Sequence, residues 1–226
     1  MTNSIEIPVV AIDGPSGSGK GTIARRVAAT LGWHLLDSGA LYRLVGLDAR
    51  RKDIPLDDEM ALAELARGLD VQFAGDSTGD EQIVLNGEDV TAAVRTEDAG
   101  TGASAVAAFQ AVRDALLGRQ RAFRRAPGLV ADGRDMGTQV FADAVLKVFL
   151  TASAEERAKR RHKQLNDKGI NVSLAAVSRD IADRDRRDSE RSVAPLRPAE
   201  DARIVDSSGQ PIEVVTKIVL DWVSRL

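Results

Sequence analysis

The chain reads as an α/β fold built on a parallel sheet, and three observations carry that reading. Five short apolar runs recur along it: Val9–Asp13, His34–Leu36, Leu129–Asp132, Val145–Leu150 and Arg203–Asp206. They are continuous rather than alternating, as strands covered on both faces should be. Longer stretches with helical periodicity separate them, and alternating strand and helix argues for a parallel sheet. A glycine-rich loop, Gly14-Pro15-Ser16-Gly17-Ser18-Gly19-Lys20-Gly21-Thr22, joins the first run to the first helical pattern.

That loop stands where a phosphate-binding loop must stand, between a strand and a helix. Its glycines let backbone amides turn inward toward phosphate oxygens, and the positive end of the following helix reinforces them. Ile23, Val27 and Leu31 share one face of that helix. Lys20 can reach the outer phosphates. The residue after the lysine is Gly21, and the hydroxyl comes one place later, at Thr22.

The later elements carry local start and stop signals. Ser153 with Glu156 forms a capping box opening a helix over 154–168, with Gly169 just past its end. Pro211 opens a last helix whose apolar face is Val215, Ile218, Val219, Trp222 and Leu226. Residues 70–91 break the alternation. Val71-Gln72-Phe73 and Ile83–Val90, with Asn86-Gly87 inside the second run, predict a small antiparallel insert. Helices near 57–69 and 109–125 would flank it, and Gly75–Asp80 would be a mobile surface tip.

Ten of the thirteen residues from 179 to 191 are charged. A solvated, salt-bridged helix is the bland reading of such a run. Arg184, Asp188 and Arg191 follow i, i+4, i+7 spacing on one face, and the run stops at Val193-Ala194-Pro195-Leu196, which favours a functional arginine segment.

Composition narrows the classes. Of 226 residues, 31 are Lys or Arg and 34 are Asp or Glu, a net charge of −3, unlike a cationic nucleic-acid binder. Aromatic residues make up 4%, too few for single-strand stacking platforms. There is no cysteine and there are two histidines, His34 and His162, so thiolate and His-based metal centres are not expected. Neither a signal peptide nor an apolar run of membrane-spanning length is present in this sequence, and a soluble cytoplasmic protein is the expectation.

Four further motifs align with one family. They are Leu36-Asp37-Ser38-Gly39-Ala40-Leu41-Tyr42-Arg43, Ala131-Asp132-Gly133-Arg134-Asp135-Met136-Gly137-Thr138, the Arg184–Leu196 segment, and Val205-Asp206-Ser207-Ser208. With the phosphate loop and its Gly-Lys-Gly-Thr ending, the chain resembles the bacterial cytidylate kinases from about residue 7 to residue 223. The resemblance implies a five-stranded parallel sheet of order 2-3-1-4-5 with helices on both faces. It implies a single domain made of a core (1–37, 127–152, 193–226), a monophosphate-binding insert (38–126) and a helical lid (153–192).

The implied reaction moves the γ-phosphoryl group of Mg-ATP to CMP or dCMP. The nucleophile is then an already anionic phosphate oxygen. Catalysis comes from alignment and charge neutralisation, and no Ser-His-Asp or Cys-His arrangement is needed. By resemblance, Gly14 to Thr22 hold ATP, and Thr22 and Asp132 approach Mg²⁺. The acidic end of the Gly128–Asp132 run could equally satisfy nearby backbone amides. Lys20, Arg134, Arg184 and Arg191 would be catalytic. Ser38, Arg43, Arg134, Arg184, Asp188 and Arg191 would bind the acceptor nucleotide. Arg160 or Arg161 would approach ATP phosphates. Asp135 and Arg113, assisted by Ser104, would read cytosine. A carboxylate there accepts from the 4-amino group, whereas uracil would set two acceptors against each other. The bland alternatives are a turn residue for Asp135 and an exposed helical arginine for Arg113. Partners would be small nucleotides only, with no nucleic acid or membrane, and the protein would be a monomer. Kinases of UMP, AMP or shikimate are the nearest rivals. A non-catalytic nucleotide switch is the rival from another class, but no Asn-Lys-x-Asp guanine reader occurs.

Overall fold

A computed structural model describes residues 7–75, 81–167 and 169–226. The order of elements begins β1 (Val9–Asp13), α1 (Lys20–Leu31), β2 (His34–Asp37), α2 (Ser38–Arg51), α3 (Glu59–Arg67), β3 (Val71–Gly75), β4 (Glu81–Leu85) and β5 (Glu88–Asp89). There follow α4 (Thr91–Val94), α5 (Glu97–Val106), α6 (Gln110–Arg121), β6 (Leu129–Gly133), a π-turn (Met136–Val140) and β7 (Leu146–Thr151). The chain closes with α7 (Ala154–Asp167), α8 (Leu174–Glu190), β8 (Arg203–Asp206) and α9 (Ile212–Val223).

The five apolar runs form one sheet in the order β2-β6-β1-β7-β8, every neighbouring pair parallel. Counted along that sheet this is 2-3-1-4-5, as expected. The central strands β1 and β6 are buried at every residue. The expectation of two covered faces fails toward the edges. In β7, Leu146, Val148 and Leu150 are buried while Lys147, Phe149 and Thr151 are half-buried, and in β8 only Val205 is buried. Outer strands have neighbours on fewer sides, so alternation returns there.

One face of the sheet is covered by α1 and α9. Ile23, Val27, Val215 and Val219 pack with Val10, Ile12, Val130, Val148 and Leu150 in a single apolar cluster. Truncating such a side chain to alanine costs about 2–5 kcal/mol. Pro211 stands at the N-cap of α9, and Ser153 Oγ accepts from Glu156 N at 3.2 Å, so both start signals operate. Gly169 has a φ of 76°, as a helix-ending glycine should.

The chain divides into two compact units. One comprises the residues up to Asp37 together with Gln120–Leu226, and the other is Ser38–Arg119. Within the second, β3, β4 and β5 form an antiparallel sheet. Asn86 and Gly87 both have positive φ and make a two-residue turn between Leu85 and Glu88, as the Asn-Gly pair predicts. The expected tip at Gly75–Asp80 lies, past Gly75, outside the described residues. Helices α3 and α6 are shorter than the 57–69 and 109–125 expected, and α2, α5 and the π-turn were not among the predicted elements. Inside the first unit, α7 and α8 pack on each other through Ala158, Leu165, Val177 and Ile181. No helix among the described residues is long and apolar enough to cross a membrane.

Candidate active site

The phosphate loop is shaped by close approaches. Gly14 has a φ of 152°, and a Cβ there would collide with the Leu150 carbonyl oxygen of β7, so no side chain fits. Gly19 caps α1 without a side chain, and no acidic residue occupies the helix's first turn. The first amides of α1 are therefore left for an anion. Lys20 is buried rather than on an exposed loop surface, and its Nζ donates to the Pro15 carbonyl at 3.2 Å. Burial depresses its ammonium below the ordinary lysine value, with Arg134 adding to the effect.

Asp132, next to last in β6, lies beside this lysine. It is buried, and its Oδ1 has no hydrogen-bond partner. The alternative role, satisfying nearby backbone amides, is not what this side chain does. Burial raises its carboxyl, and Lys20 pulls the other way. Its Oδ2 lies 3.0 Å from where a Cβ on residue 21 would be. That contact is the physical reason for Gly21 in place of the usual hydroxyl residue. A buried carboxylate oxygen with no partner, next to a phosphate loop, fits a divalent cation carried on phosphates. Thr22 is exposed on the first turn of α1. Among the described residues no group of three or more His, Cys, Asp or Glu gathers as a metal cage.

The residue that does satisfy backbone amides is Asp13, at the end of β1. Its two oxygens accept from Met136 N and Gly137 N, each at 2.8 Å. Burial pushes its carboxyl up to about 7 against those two bonds. Nothing in the sequence around Asp13 marks this role, because its partners lie more than a hundred residues away.

The charged segment forms α8, but the helix stops at Glu190. Arg184 and Asp188 share a face. Arg191 has extended backbone and is not placed by helical spacing; its Nε donates to the Ala194 carbonyl at 2.6 Å. Asp188 is buried and accepts from Arg134 Nε at 3.0 Å. Burial raises its carboxyl, but Arg134, Arg184 and Arg191 together overcome this and hold it below the usual range. The solvated-helix reading therefore fails for this face, while Arg186 and Arg187 remain exposed.

Two arginines of α7 reach the phosphate loop. Arg157 is buried, pairs through both terminal nitrogens with Asp185 of α8 (2.9 and 2.6 Å), and donates to the Ser16 carbonyl at 3.1 Å. Sequence reasoning passed over it, although it lies one helical turn past the Ser153 cap. Arg160 bonds Ser207 Oγ at 3.0 Å and the Ser18 carbonyl at 3.4 Å, whereas Arg161 turns to Gln164. Of the tandem pair, Arg160 is the one at the loop.

Asp135 is buried at the start of the π-turn. Its carbonyl accepts from Gln139 N at 2.9 Å, and its side chain makes no capping bond to the π-turn. In the second unit, Arg113 is buried rather than exposed. It donates to the Ala107 carbonyl at 3.3 Å and lies over the Tyr42 ring, 5.7 Å from its centroid. Arg43 donates to the Val94 carbonyl at 2.9 Å, and Ser38 is buried at the start of α2. The Ser104 hydroxyl is buried without a hydrogen-bond partner.

The sequence profile described as "Cytidylate kinase" matches residues 10–225, a span that includes all of these groups. The chain belongs to the cytidylate kinase family. It is 59% identical over 220 residues to the cytidylate kinase of Pseudomonas aeruginosa (strain UCBPP-PA14), covering 97% of this chain and 96% of that one. It is 56% identical over 218 residues to the cytidylate kinase of Aeromonas hydrophila subsp. hydrophila, covering 96% and 94%. Among solved structures, an uncharacterised protein from Eubacterium ventriosum aligns over 96% of this chain and 98% of that one, at 11% identity and a TM-score of 0.50. That likeness concerns the fold alone. The family is therefore carried by sequence identity, and its motifs fall where the site has just been described.

Proposed function

We propose that this member of the cytidylate kinase family transfers the γ-phosphoryl group of Mg-ATP to CMP or dCMP, giving ADP and CDP or dCDP. Family membership supports the reaction, and the carboxylate of Asp135, buried at the start of the π-turn beside Arg134, carries the choice of base. Asp135 accepts from the 4-amino group of cytosine. Uracil presents a carbonyl oxygen there, and a buried unpaired acceptor costs about 1–3 kcal/mol. Ser38, Arg43, Ser104 and Arg113 are assigned to CMP on the family resemblance, and for Ser104 the partnerless buried hydroxyl adds support.

The residues divide the work by their chemistry. Amides at the start of α1 bind the triphosphate, and Lys20 brings positive charge to its outer oxygens. Asp132 and Thr22 would hold Mg²⁺, which when bound neutralises phosphate charge. Arg43, Arg134 and Arg191 hold the acceptor phosphate, while Arg184 and Asp188 serve the sugar and the closed lid. Arg160 is the arginine assigned to ATP. The α7–α8 pair, with its flanks a lid over about 153–192, excludes water that would otherwise take the phosphoryl group. The protein acts as a monomer on small nucleotides in the cytoplasm, where those nucleotides are pooled.

A phosphoryl-acceptor panel tests the reading. With Mg-ATP, CMP and dCMP should far exceed UMP, AMP and GMP in kcat/KM. Comparable values for CMP and UMP would remove Asp135 as the base reader.

A further inference from the structure

Asp13 belongs to no step above, yet it is a buried carboxylate with both oxygens engaged. It ends β1, directly before the phosphate loop, and stands beside Gly133 in the parallel register of β1 and β6. After Gly133 the chain leaves the sheet for Arg134 and Asp135, then turns back. The next two amides, of Met136 and Gly137, return to the Asp13 side chain at 2.8 Å each. The sheet thus fixes the chain at Gly133, before the Arg134-Asp135 pair, and the Asp13 carboxylate fixes it at Met136 and Gly137, after the pair.

The chemistry argues that this grip needs a carboxylate. The π-turn leaves its first amides without partners inside the turn, as any helix start does. Its own bonds begin with Gln139 N and Val140 N to the Asp135 carbonyl. A serine or asparagine would supply one acceptor oxygen, whereas aspartate supplies two. The choice is costly, because Asp132 and Asp135 are nearby carboxylates that repel a charge at position 13. At the other end of the turn, Arg121 Nε donates to the Val140 carbonyl at 3.1 Å, so the backbone after Asp135 is held from both ends.

We propose that Asp13 is a positioning residue for acceptor selection: by fixing the chain where it returns just after Arg134 and Asp135, it sets the Asp135 carboxylate where it can distinguish cytosine from uracil. The inference rests on the reading of Asp135 as the base reader. It predicts that a residue at the root of the ATP loop acts mainly on the other substrate.

The experiment measures steady-state constants for CMP and UMP at saturating Mg-ATP, and for Mg-ATP at saturating CMP. The enzymes are wild type, Asp13→Asn, Asp135→Ala and the double variant. Asp13→Asn should lower kcat/KM for CMP roughly tenfold or more, shrink the CMP-over-UMP ratio, and leave the KM for ATP within about twofold. In the Asp135→Ala background, the same change should move the ratio by less than about twofold, because the two residues act as one unit. Should Asp13→Asn not fold, Asp13→Ser reads the same ratio, keeping one acceptor without the buried charge. Equal losses toward both substrates with an unchanged ratio would make Asp13 a structural support of the loop and overturn the proposal. So would an Asp13 variant with wild-type constants. If Asp135→Ala leaves the ratio unchanged, the base-reader reading falls and takes this proposal with it. If Asp135→Ala collapses the ratio and Asp13→Asn does not, only the proposal falls.

Discussion

Arg134 donates its Nε to Asp188 Oδ2 at 3.0 Å, and both side chains are largely withdrawn from water. The bond ties the turn after β6 to the last turn of α8. Arg184 and Arg191 act on the same carboxylate. Three arginines assigned to the acceptor nucleotide therefore share one buried counter-charge within the protein itself. That lets them stand close together without mutual repulsion driving them apart.

Removing the counter-charge should be costly. Asp188→Asn is expected to destabilise the protein by about 2–3 kcal/mol at pH 7, since it leaves Arg134 without its ionic partner. The sign of the pH effect follows from the depressed carboxyl. Its stabilisation is present in full above the unfolded value near about 3.9 and is lost as pH falls through the lower folded value. The gap between wild type and Asp188→Asn in urea unfolding should be constant from about pH 5 to 8 and close below about pH 4. A gap that persists undiminished at low pH would mean that Asp188 acts through shape rather than charge.

Lys20 is buried among charged neighbours, so its replacement must keep the apolar stem. Lys20→Met should fold with a near-native melting temperature and lose at least about a hundredfold in kcat, which is a few kcal/mol of transition-state stabilisation. A coupled assay for ADP release checks it. Retention of more than about a tenth of wild-type kcat would remove the charge-stabilising role.

Gly21 is explained by the Asp132 carboxylate rather than by the loop's own turn. A methyl at position 21 meets Asp132 Oδ2 at 3.0 Å, so the carboxylate must yield. Gly21→Ala should leave the fold intact and shift the Mg²⁺ concentration for half-maximal activity upward by roughly tenfold. Asp132→Asn should produce a similar shift. A Mg²⁺ titration of both variants decides; unchanged midpoints would mean that Asp132 does not serve the metal.

The lid prediction concerns motion. Hydrogen exchange across about 153–192 should slow when CMP and a non-hydrolysable ATP analogue bind together. Arg184→Ala and Arg191→Ala should damage transfer to CMP much more than ATP binding. If exchange is unchanged and each alanine costs under about 0.5 kcal/mol, the segment is a solvated helix and the arginines act elsewhere.

The five strands, the phosphate loop, the helix start signals at Ser153 and Pro211 and the Asn-Gly turn are legible in the amino-acid sequence, because each signal is local. A continuous apolar run, a capping serine or a pair of turn residues depends on neighbours within a few positions, and the backbone there responds to them directly. The strand order is legible only through the family resemblance.

What only the tertiary structure decided is which polar group meets which. Asp13 and Asp132 look alike in the sequence, each an aspartate ending an apolar strand. One holds two amides of the π-turn and the other keeps a partnerless buried oxygen beside Gly21, because the chain after β6 turns back over β1. Lys20 is buried, Arg157 links Asp185 to the loop, and Arg191 stands beyond the end of its helix. Hydrogen bonds and ion pairs form between atoms that folding brings within about 3 Å, whatever their distance along the chain. The sequence alone determined the elements and the chemistry available to them; the packing of strand ends determined which side chain each charge would serve.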